Sequence, residues 1–460
     1  MTEARPRVLV VGSGFAGFHA LRGLRRRLPA DAAELVLVSP TDYLLYTPLL
    51  PEVASGTIEP RHVAISLRQA LPRIRTVLGH VTALDLAGRT ATISPTDQEG
   101  AAPRTERWDR LVLVPGSVTR RFDIPGVTEN GHGIKTLTEA QFLRDHLLRQ
   151  LDLADGLPDV PDTYEERRER LTVVAVGAGY TGTETVAQLQ RWLHTVASRW
   201  HRIHPRDVRW LLIDIAPNVL PELGPELGDA ALATLRRRGV DVRLGVSVES
   251  ATDRSVTLTD GSTVLSRTLI WGAGVTANPL IGTLDLPLEH GRLVVDAQLR
   301  VPGTEHVWAA GDAAAVPDLT KPTDPNSGDR PPTPPTAQHA QRQGSTLARN
   351  VAASLGHGRP RAYKHRDLGL VADLGGRDAV AKPLGVNVTG LAAKVVTRAY
   401  HLYALPLTAN RIRVATDWLL AAVLPVQAVQ LSAIRPSDAQ LSTAEHTDIY
   451  PAEGSARPGS

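Results

Sequence analysis

Thr172-Val173-Val174-Ala175-Val176-Gly177-Ala178-Gly179-Tyr180-Thr181-Gly182 decides the fold, because the same pattern has already occurred at Val8-Leu9-Val10-Val11-Gly12-Ser13-Gly14-Phe15-Ala16-Gly17. Each is a short apolar run that reads as a buried strand. A glycine triplet spaced G-x-G-x-x-G follows, then a helical stretch, to Leu28 in the first copy and to about Leu193 in the second. In such a turn the first Gly permits the bend, the second lets the backbone approach a pyrophosphate, and the third lets helix pack on strand. The ligand's charge then rests on the free N–H groups of the helix start. One match is weak, but two in this context predict two dinucleotide sites. Gly12, Gly14, Phe15, Ala16 and Gly17 would line one, and Gly177, Gly179, Tyr180, Thr181 and Gly182 the other.

Further along, each copy closes on an apolar strand that runs into glycine, at Arg110–Gly116 and at Thr268–Gly274, and a third such transition occupies His306–Asp312. The strand after each Gly loop reports on the ribose. Val208–Ile213 ends at Asp214, whose carboxylate can accept from ribose hydroxyls and would repel a 2′-phosphate, which favours NADH over NADPH. The spacing from Gly177 is longer than the usual twenty residues, so a solvated strand-end carboxylate is the competing reading. Glu34–Val38 ends instead at Ser39, which offers one hydrogen bond and a weaker adenosine grip, and Glu34 itself lies at the strand's start and reads as surface.

The chain has 460 residues, 51 Lys and Arg against 48 Asp and Glu, a net charge of +3, and no cysteine. Without cysteine there can be no disulfide, thiolate metal site, redox-active thiol pair or Cys nucleophile, so redox chemistry would require a bound cofactor. At roughly 150 residues per domain the length suggests about three domains. The near-balanced charge predicts no nucleic-acid partner. Only five of the basic residues are lysines, Lys135, Lys321, Lys364, Lys382 and Lys394, which reads as compositional bias. The N-terminus carries no signal-peptide core and no run approaches the 18 or so apolar residues of a membrane span, predicting a cytoplasmic protein with at most peripheral membrane contact. The histidines show no metal spacing, His201 and His204 reading as surface, and no metal site is predicted.

These residues resemble the two-dinucleotide-domain flavoproteins, and within them the type II NADH dehydrogenases (NADH:quinone oxidoreductases), from about Val8 to Pro425. The resemblance implies FAD on the first loop and NADH on the second, with hydride passing to FAD and two electrons on to a membrane quinone. Gly311-Asp312 is similar to the family's late Gly-Asp, whose Asp meets the ribityl or phosphate region. Tyr43–Glu52 is similar to its aromatic Pro-Leu-Leu segment, placing Tyr46 and Pro48 beside the flavin; Ser39, Gly116, Ala337 and Gly274 join the cofactor-binding set. Glu184 would stand near the nicotinamide; a carboxylate favoured by the dipole of a helix's first turn is the alternative. Ala337-Gln338-His339-Ala340-Gln341-Arg342 is similar to the family's Ala-Gln-x-Ala-x-Gln pattern, with Gln338 at the quinone site and Arg342 where the family has Gln.

The implied architecture is an FAD domain (1–120 and 281–360) interrupted by an NADH domain (121–280), a C-terminal domain (361–434) and a disordered tail (435–460). Pro317–Pro335, Asp155–Asp162 and Pro95–Pro103 read as loops. Ala392, Val395, Val396, Ala399, Leu402 and Tyr403 share one helical face, with Lys394, Thr397, Arg398 and His401 elsewhere. Trp418–Leu424 after Arg411 and Arg413 is too short to span a bilayer. Such faces usually pack on the protein's own core or a dimer partner; the resemblance implies instead a peripheral anchor over about 392–426 on the inner face of the cell membrane. Two rivals stay open: a reductase of the same build with a soluble acceptor, of ferredoxin reductase or diaphorase type, and a non-catalytic FAD/NADH-binding protein.

Overall fold

The computed structural model describes residues 5–96, 101–325, 328, 330–365 and 367–450. Chain order gives β1 (Arg7–Val11), α1 (Phe15–Arg27), β2 (Glu34–Ser39), β3 (Arg75–Leu78) and β4 (Arg110–Leu113). Then come β5 (Gly131–His132), β6 (Thr172–Val176), α2 (Tyr180–Ala197), β7 (Arg209–Asp214), β8 (Val240–Leu244) and β9 (Thr268–Trp271), before β10 (Val307–Ala309). The C-terminal part contributes α3 (Ala337–Ser354), α4 (Gly390–Ala404) and α5 (Thr408–Val423).

Two parallel five-stranded sheets result, ordered β10-β4-β1-β2-β3 and β5-β9-β6-β7-β8. In both, the strand that feeds the Gly loop is central and pairs on either side with parallel neighbours, Val8 beside Leu35 and Arg110, and Val173 beside Trp210 and Thr268. Burial on both faces explains the unbroken Val-Leu-Ile runs. The first sheet draws its strands from residues 7–113 and 307–309, the second from 131–271. They are linked by an antiparallel pair, Ser117–Thr119 against Val275–Ala277. Because each sheet is parallel, its strand ends share one edge, so Gly12, Gly116 and Gly311 gather at one edge and Gly177, Asp214 and Gly274 at the other sheet's.

Helix α3 packs on α1 at close range, since a Cβ on Gly344 would lie 2.3 Å from the Ala16 carbonyl oxygen and one on Gly23 2.5 Å from the Ala348 methyl. A small antiparallel sheet, Val371–Asp373, Ala379–Ala381 and Val388–Thr389, carries α4. Among the described residues no helix is long and apolar enough to cross a membrane.

Two expectations are corrected. The tail from Arg435 is ordered as far as Tyr450: Leu441 is buried in a core cluster with Val127, Val174 and Trp271. The rest of the tail, 451–460, lies outside the described residues, as do 97–100 of the loop expected at Pro95–Pro103. The loop expected at Asp155–Asp162 shrinks to 157–160, because one helix runs to Gly156 and the next begins at Pro161. Proline at a first helical position needs no N–H partner and starts a helix rather than a loop.

Candidate functional site

The two Gly loops have nearly the same geometry. Gly12 (φ +109°) donates its N–H to the Val38 carbonyl at 2.9 Å, and Gly177 (φ +104°) to that of Ile213 at 2.8 Å. A Cβ on Gly17 would lie 1.9 Å from the Gly12 oxygen, and one on Gly182 1.8 Å from that of Gly177. The middle glycines differ from both neighbours: around a Cβ on Gly14 or Gly179 there is nothing within 4 Å. They are also the N-caps of α1 and α2, and neither helix start receives a side-chain cap or an acidic residue in its first turn. Two helix termini with free N–H groups, fronted by a cradle that a single methyl would begin to fill, fit a pyrophosphate each. Phe15, Ala16, Tyr180 and Thr181 open the helices at these cradles. The Tyr180 hydroxyl is buried without a partner, and burial raises its pKa.

The strand ends diverge as the sequence reading has them, with one difference. Asp214 faces its loop: Oδ2 accepts from the Ala178 N–H at 2.5 Å and Oδ1 from that of Ala216 at 2.7 Å. The long spacing arises because α2 runs on to Ala197 and a further loop and 3-10 turn precede β7. Ser39, expected to offer a hydrogen bond to adenosine, is fully buried, and its hydroxyl bonds the Thr41 carbonyl and Ser13 Oγ, both at 2.7 Å. It serves its own turn. Glu34 lies at the opposite edge, paired with Arg7 at 2.8 Å.

At the first sheet's ligand edge, Gly311 donates to Gln343 Oε1 at 2.7 Å, and Asp312 Oδ2 accepts from Ser117 Oγ at 2.6 Å. Lys135 Nζ in turn donates to Ser117 Oγ at 2.8 Å. Gly116 (φ +79°) and Gly274 (φ +86°) turn the chain with open space beside them. Tyr46 is buried, edge-on to Phe15 with ring centres 5.7 Å apart, and its hydroxyl meets His401 Nδ1 at 3.0 Å; Pro48 lies in the 3-10 turn that follows. Residues on α1, on the Tyr43–Glu52 segment and on α4 are thereby in one cluster.

Glu184 is the fifth residue of α2, beyond the first turn, so a dipole preference does not account for it. Its Oε1 accepts from the Asp373 N–H at 2.7 Å. Lys394 Nζ contacts both Asp373 oxygens at 2.5 Å, Gln188 Nε2 donates to Asp373 Oδ1 at 2.9 Å, and Trp418 Nε1 donates to Glu52 Oε2 at 2.6 Å. Three carboxylates, Glu52, Glu184 and Asp373, share one buried lysine. Burial drives the Glu184 carboxyl well above its ordinary range, and burial with the nearby Asp373 raises Glu52 to about 7. Burial holds His401 neutral, at about 4.

Gln338, second residue of α3, donates Nε2 to the Gly369 carbonyl at 2.7 Å. The Thr336 hydroxyl caps this helix beside Ala337, accepting from the His339 N–H at 3.3 Å. Arg342, one turn on, donates to His365 Nδ1 at 3.2 Å, and His365 stacks on His339 with ring centres 3.9 Å apart.

The face of α4 that points outward is the apolar one. Leu391 (59%), Val395 (62%) and Tyr403 (74%) are exposed, whereas Lys394, Thr397 and His401 are buried. Ile412, Leu419, Leu420 and Val423 of α5 and Leu424 after it are exposed as well. The face expected to pack on the protein's own core does so only along one margin, where Val396 and Leu402 are half-buried against it; Val395 and Tyr403 stay outside, because the interior beneath α4 is the charged cluster and the polar side of the helix is needed there.

Sequence reasoning missed Glu52, Asp373, Lys394, His401, Trp418, Ser117 and Lys135 as site residues. One signal was available: in a chain with five lysines, two are at these clusters.

Two Rossmann sheets, one inserted within the other, with a Gly-loop cradle on each and no thiol between them, define a two-nucleotide oxidoreductase. The sequence pattern of the pyridine nucleotide-disulphide oxidoreductases matches residues 6–344. The chain belongs to that family, and within it to the type II NADH:quinone oxidoreductases. It is 30% identical to the type II NADH:quinone oxidoreductase NdhA of Mycobacterium tuberculosis over 90% of its own length and 86% of that protein's. Identity to an internal alternative NAD(P)H-ubiquinone oxidoreductase of Solanum tuberosum mitochondria is also 30%, over 92% and 87%. A solved structure of NDH2 from Plasmodium falciparum in complex with NADH shares the fold at a TM-score of 0.83 and 18% identity, covering 93% of this chain and all of that one.

Proposed function

We propose that this chain is an FAD-dependent NADH dehydrogenase that delivers two electrons to a quinone at a membrane surface. One observation carries the reading: Tyr46, edge-on to Phe15 of the first Gly loop, bonds His401 on the inner side of α4, while the outer side of α4 is apolar and exposed. A cofactor seated at the loop and an acceptor arriving from lipid are thus separated by one helix.

FAD and NADH are the cofactors. The Gly12–Gly17 loop and the start of α1 would hold the FAD diphosphate, with Asp312 held in place by Ser117 and Lys135. Gly177–Gly182 and Asp214 would hold NADH. Bound FAD would supply the hydride acceptor and two-electron donor that no side chain of this cysteine-free chain provides. Reducing a quinone with NADH consumes one proton, and the carboxyls of Glu184 and Glu52, raised by burial, are suited to hold it at their oxygens near neutral pH. Gln338 bonds and Arg342 faces Tyr400 of α4, and the two would line a quinone's approach between α3 and α4. The outward face of α4 and α5, over about 392–426, would lie in the membrane interface on the side that holds NADH, which for the inner face of the cell membrane is the cytoplasm; a second copy of the chain is the other occupant such a face could take.

Anaerobic stopped-flow tests the reading. NADH should bleach the flavin absorbance of the purified protein, and a water-soluble quinone analogue should restore it. Bleaching without reoxidation by quinone would leave a reductase with a soluble acceptor, and no bleaching a nucleotide-binding protein without this activity.

A further inference from the structure

The ordered C-terminal segment, Pro436–Tyr450, is tied down at three points that belong to different parts of the molecule. Gln440 bridges His132 of β5, and Leu441 fills the core of the second sheet's domain beside Val127 and Trp271. In the middle, both carboxylate oxygens of Glu445 accept the Thr119 N–H, at 3.0 and 2.9 Å, on one of the two strands that link the domains. At the far end the Tyr450 hydroxyl donates to the Val81 carbonyl at 3.0 Å, and the His446 ring lies 4.7 Å from that of His80.

The middle and last ties bracket the edge where the first dinucleotide would sit. Gly79 donates its N–H to the Ser39 carbonyl at 2.9 Å, so His80 and Val81 stand beside the carboxyl end of β2, the position at which a Rossmann domain meets adenosine. Thr119 is two residues from Ser117, which bonds both Asp312 and Lys135, and the Glu445 charge acts favourably on Lys135. The segment therefore runs from the Asp312 end of that edge to its Ser39 end. It does so in a domain whose strand-end residue, Ser39, is spent on its own turn.

We propose that residues 436–450 form a strap that retains FAD, with Glu445 and Tyr450 as positioning residues that act through Thr119 and Lys135 and through Val81. The proposal rests on the first loop being the FAD site. The strap supplies, from the chain's own C-terminal segment, the hold on the adenosine side that an acidic residue at position 39 would otherwise give.

The test is the rate of FAD release from the full-length holoprotein, followed by the rise of free-flavin fluorescence after dilution, in wild type and in Glu445→Ala, Tyr450→Phe and the double variant. The double variant should release FAD at least tenfold faster, with each single change intermediate and the melting temperature of the FAD-stripped protein unchanged. Equal release rates overturn the strap. Slower release also overturns it, because the segment would then be competing with FAD for the edge. A lower melting temperature in step with faster release would reduce the segment to general stabilisation. If wild type purifies and reconstitutes without any FAD, the reading of the first loop has failed instead.

Discussion

Replacing Gly179 by alanine separates ligand contact from folding. The glycine has φ −73°, which alanine adopts freely, and its added Cβ would have no protein atom within 4 Å. The folded chain should therefore tolerate the change, with thermal stability equal to wild type or slightly higher. The methyl would stand where a diphosphate must approach the backbone. Losing one charge-assisted hydrogen bond costs about 1.5–3 kcal/mol, so the NADH dissociation constant should rise roughly 10- to 150-fold. FAD content should be unaffected. Gly182→Ala is the contrast: its Cβ would be 1.8 Å from a backbone oxygen, so α2 must move off β6, and overpacking of this kind costs about 1–3 kcal/mol or more. Titration of the oxidised holoprotein with NAD+ by calorimetry, alongside melting curves, reads both effects. An unchanged nucleotide affinity in Gly179→Ala would refute the argument that open space at the middle glycine marks the ligand, and a collapse in stability would refute the argument that the space is free. The same pair in the first loop, Gly14→Ala and Gly17→Ala, should move FAD binding and stability respectively.

Lys394→Met takes the ion-pair partner from Asp373, and by the usual cost of breaking a buried pair stability should fall by about 3–5 kcal/mol at pH 8; denaturant melts at pH 5.5 should show a smaller loss, as protons on Glu52 and Glu184 lower the negative charge buried beside it. Glu52, raised from 4.5 to about 7, binds its proton in the folded state after the unfolded chain has released it, so between those values stability falls as pH rises, by up to about 3 kcal/mol. Glu52→Gln should flatten that slope, and a slope equal to wild type would show that Glu52 titrates normally. Asp214→Ser should narrow the preference for NADH over NADPH in KM ratios, and an unaltered ratio would make Asp214 a purely structural acceptor for Ala178 and Ala216. Changing Val395 and Tyr403 to Asp on the outward face of α4 should abolish co-sedimentation with anionic liposomes while leaving oxidation of NADH with ferricyanide intact; if sedimentation equilibrium instead shows a wild-type dimer that these changes dissociate, the face is a protein interface.

The Gly loops were readable from sequence because they encode backbone geometry within a dozen consecutive residues, and Asp214 because its place follows from the end of one strand. The cluster around Lys394 was not, since Glu52, Glu184, Asp373, Lys394 and Trp418 come from five separate elements and meet only in the folded chain. Periodicity told which residues of α4 share a face; it could not tell which face points inward, because that depends on the charges that the rest of the chain buries beneath it. The strap was misread because two anchoring side chains, Leu441 and Tyr450, set no period in a segment otherwise polar and rich in small residues.

The second sheet's domain leaves and rejoins the first through Ser117–Thr119 and Val275–Ala277, which are paired strands. Its two ends are thus one strand spacing apart, about 4.8 Å. An insertion with adjacent ends is a cassette: a domain selective for NADPH could be exchanged at these two points without lengthening any connection in the first sheet. The strap, whose Leu441 is rooted in the exchanged core, and the contacts that Glu184, Gln188 and Arg238 make with the 373–378 turn would have to be matched to the newcomer.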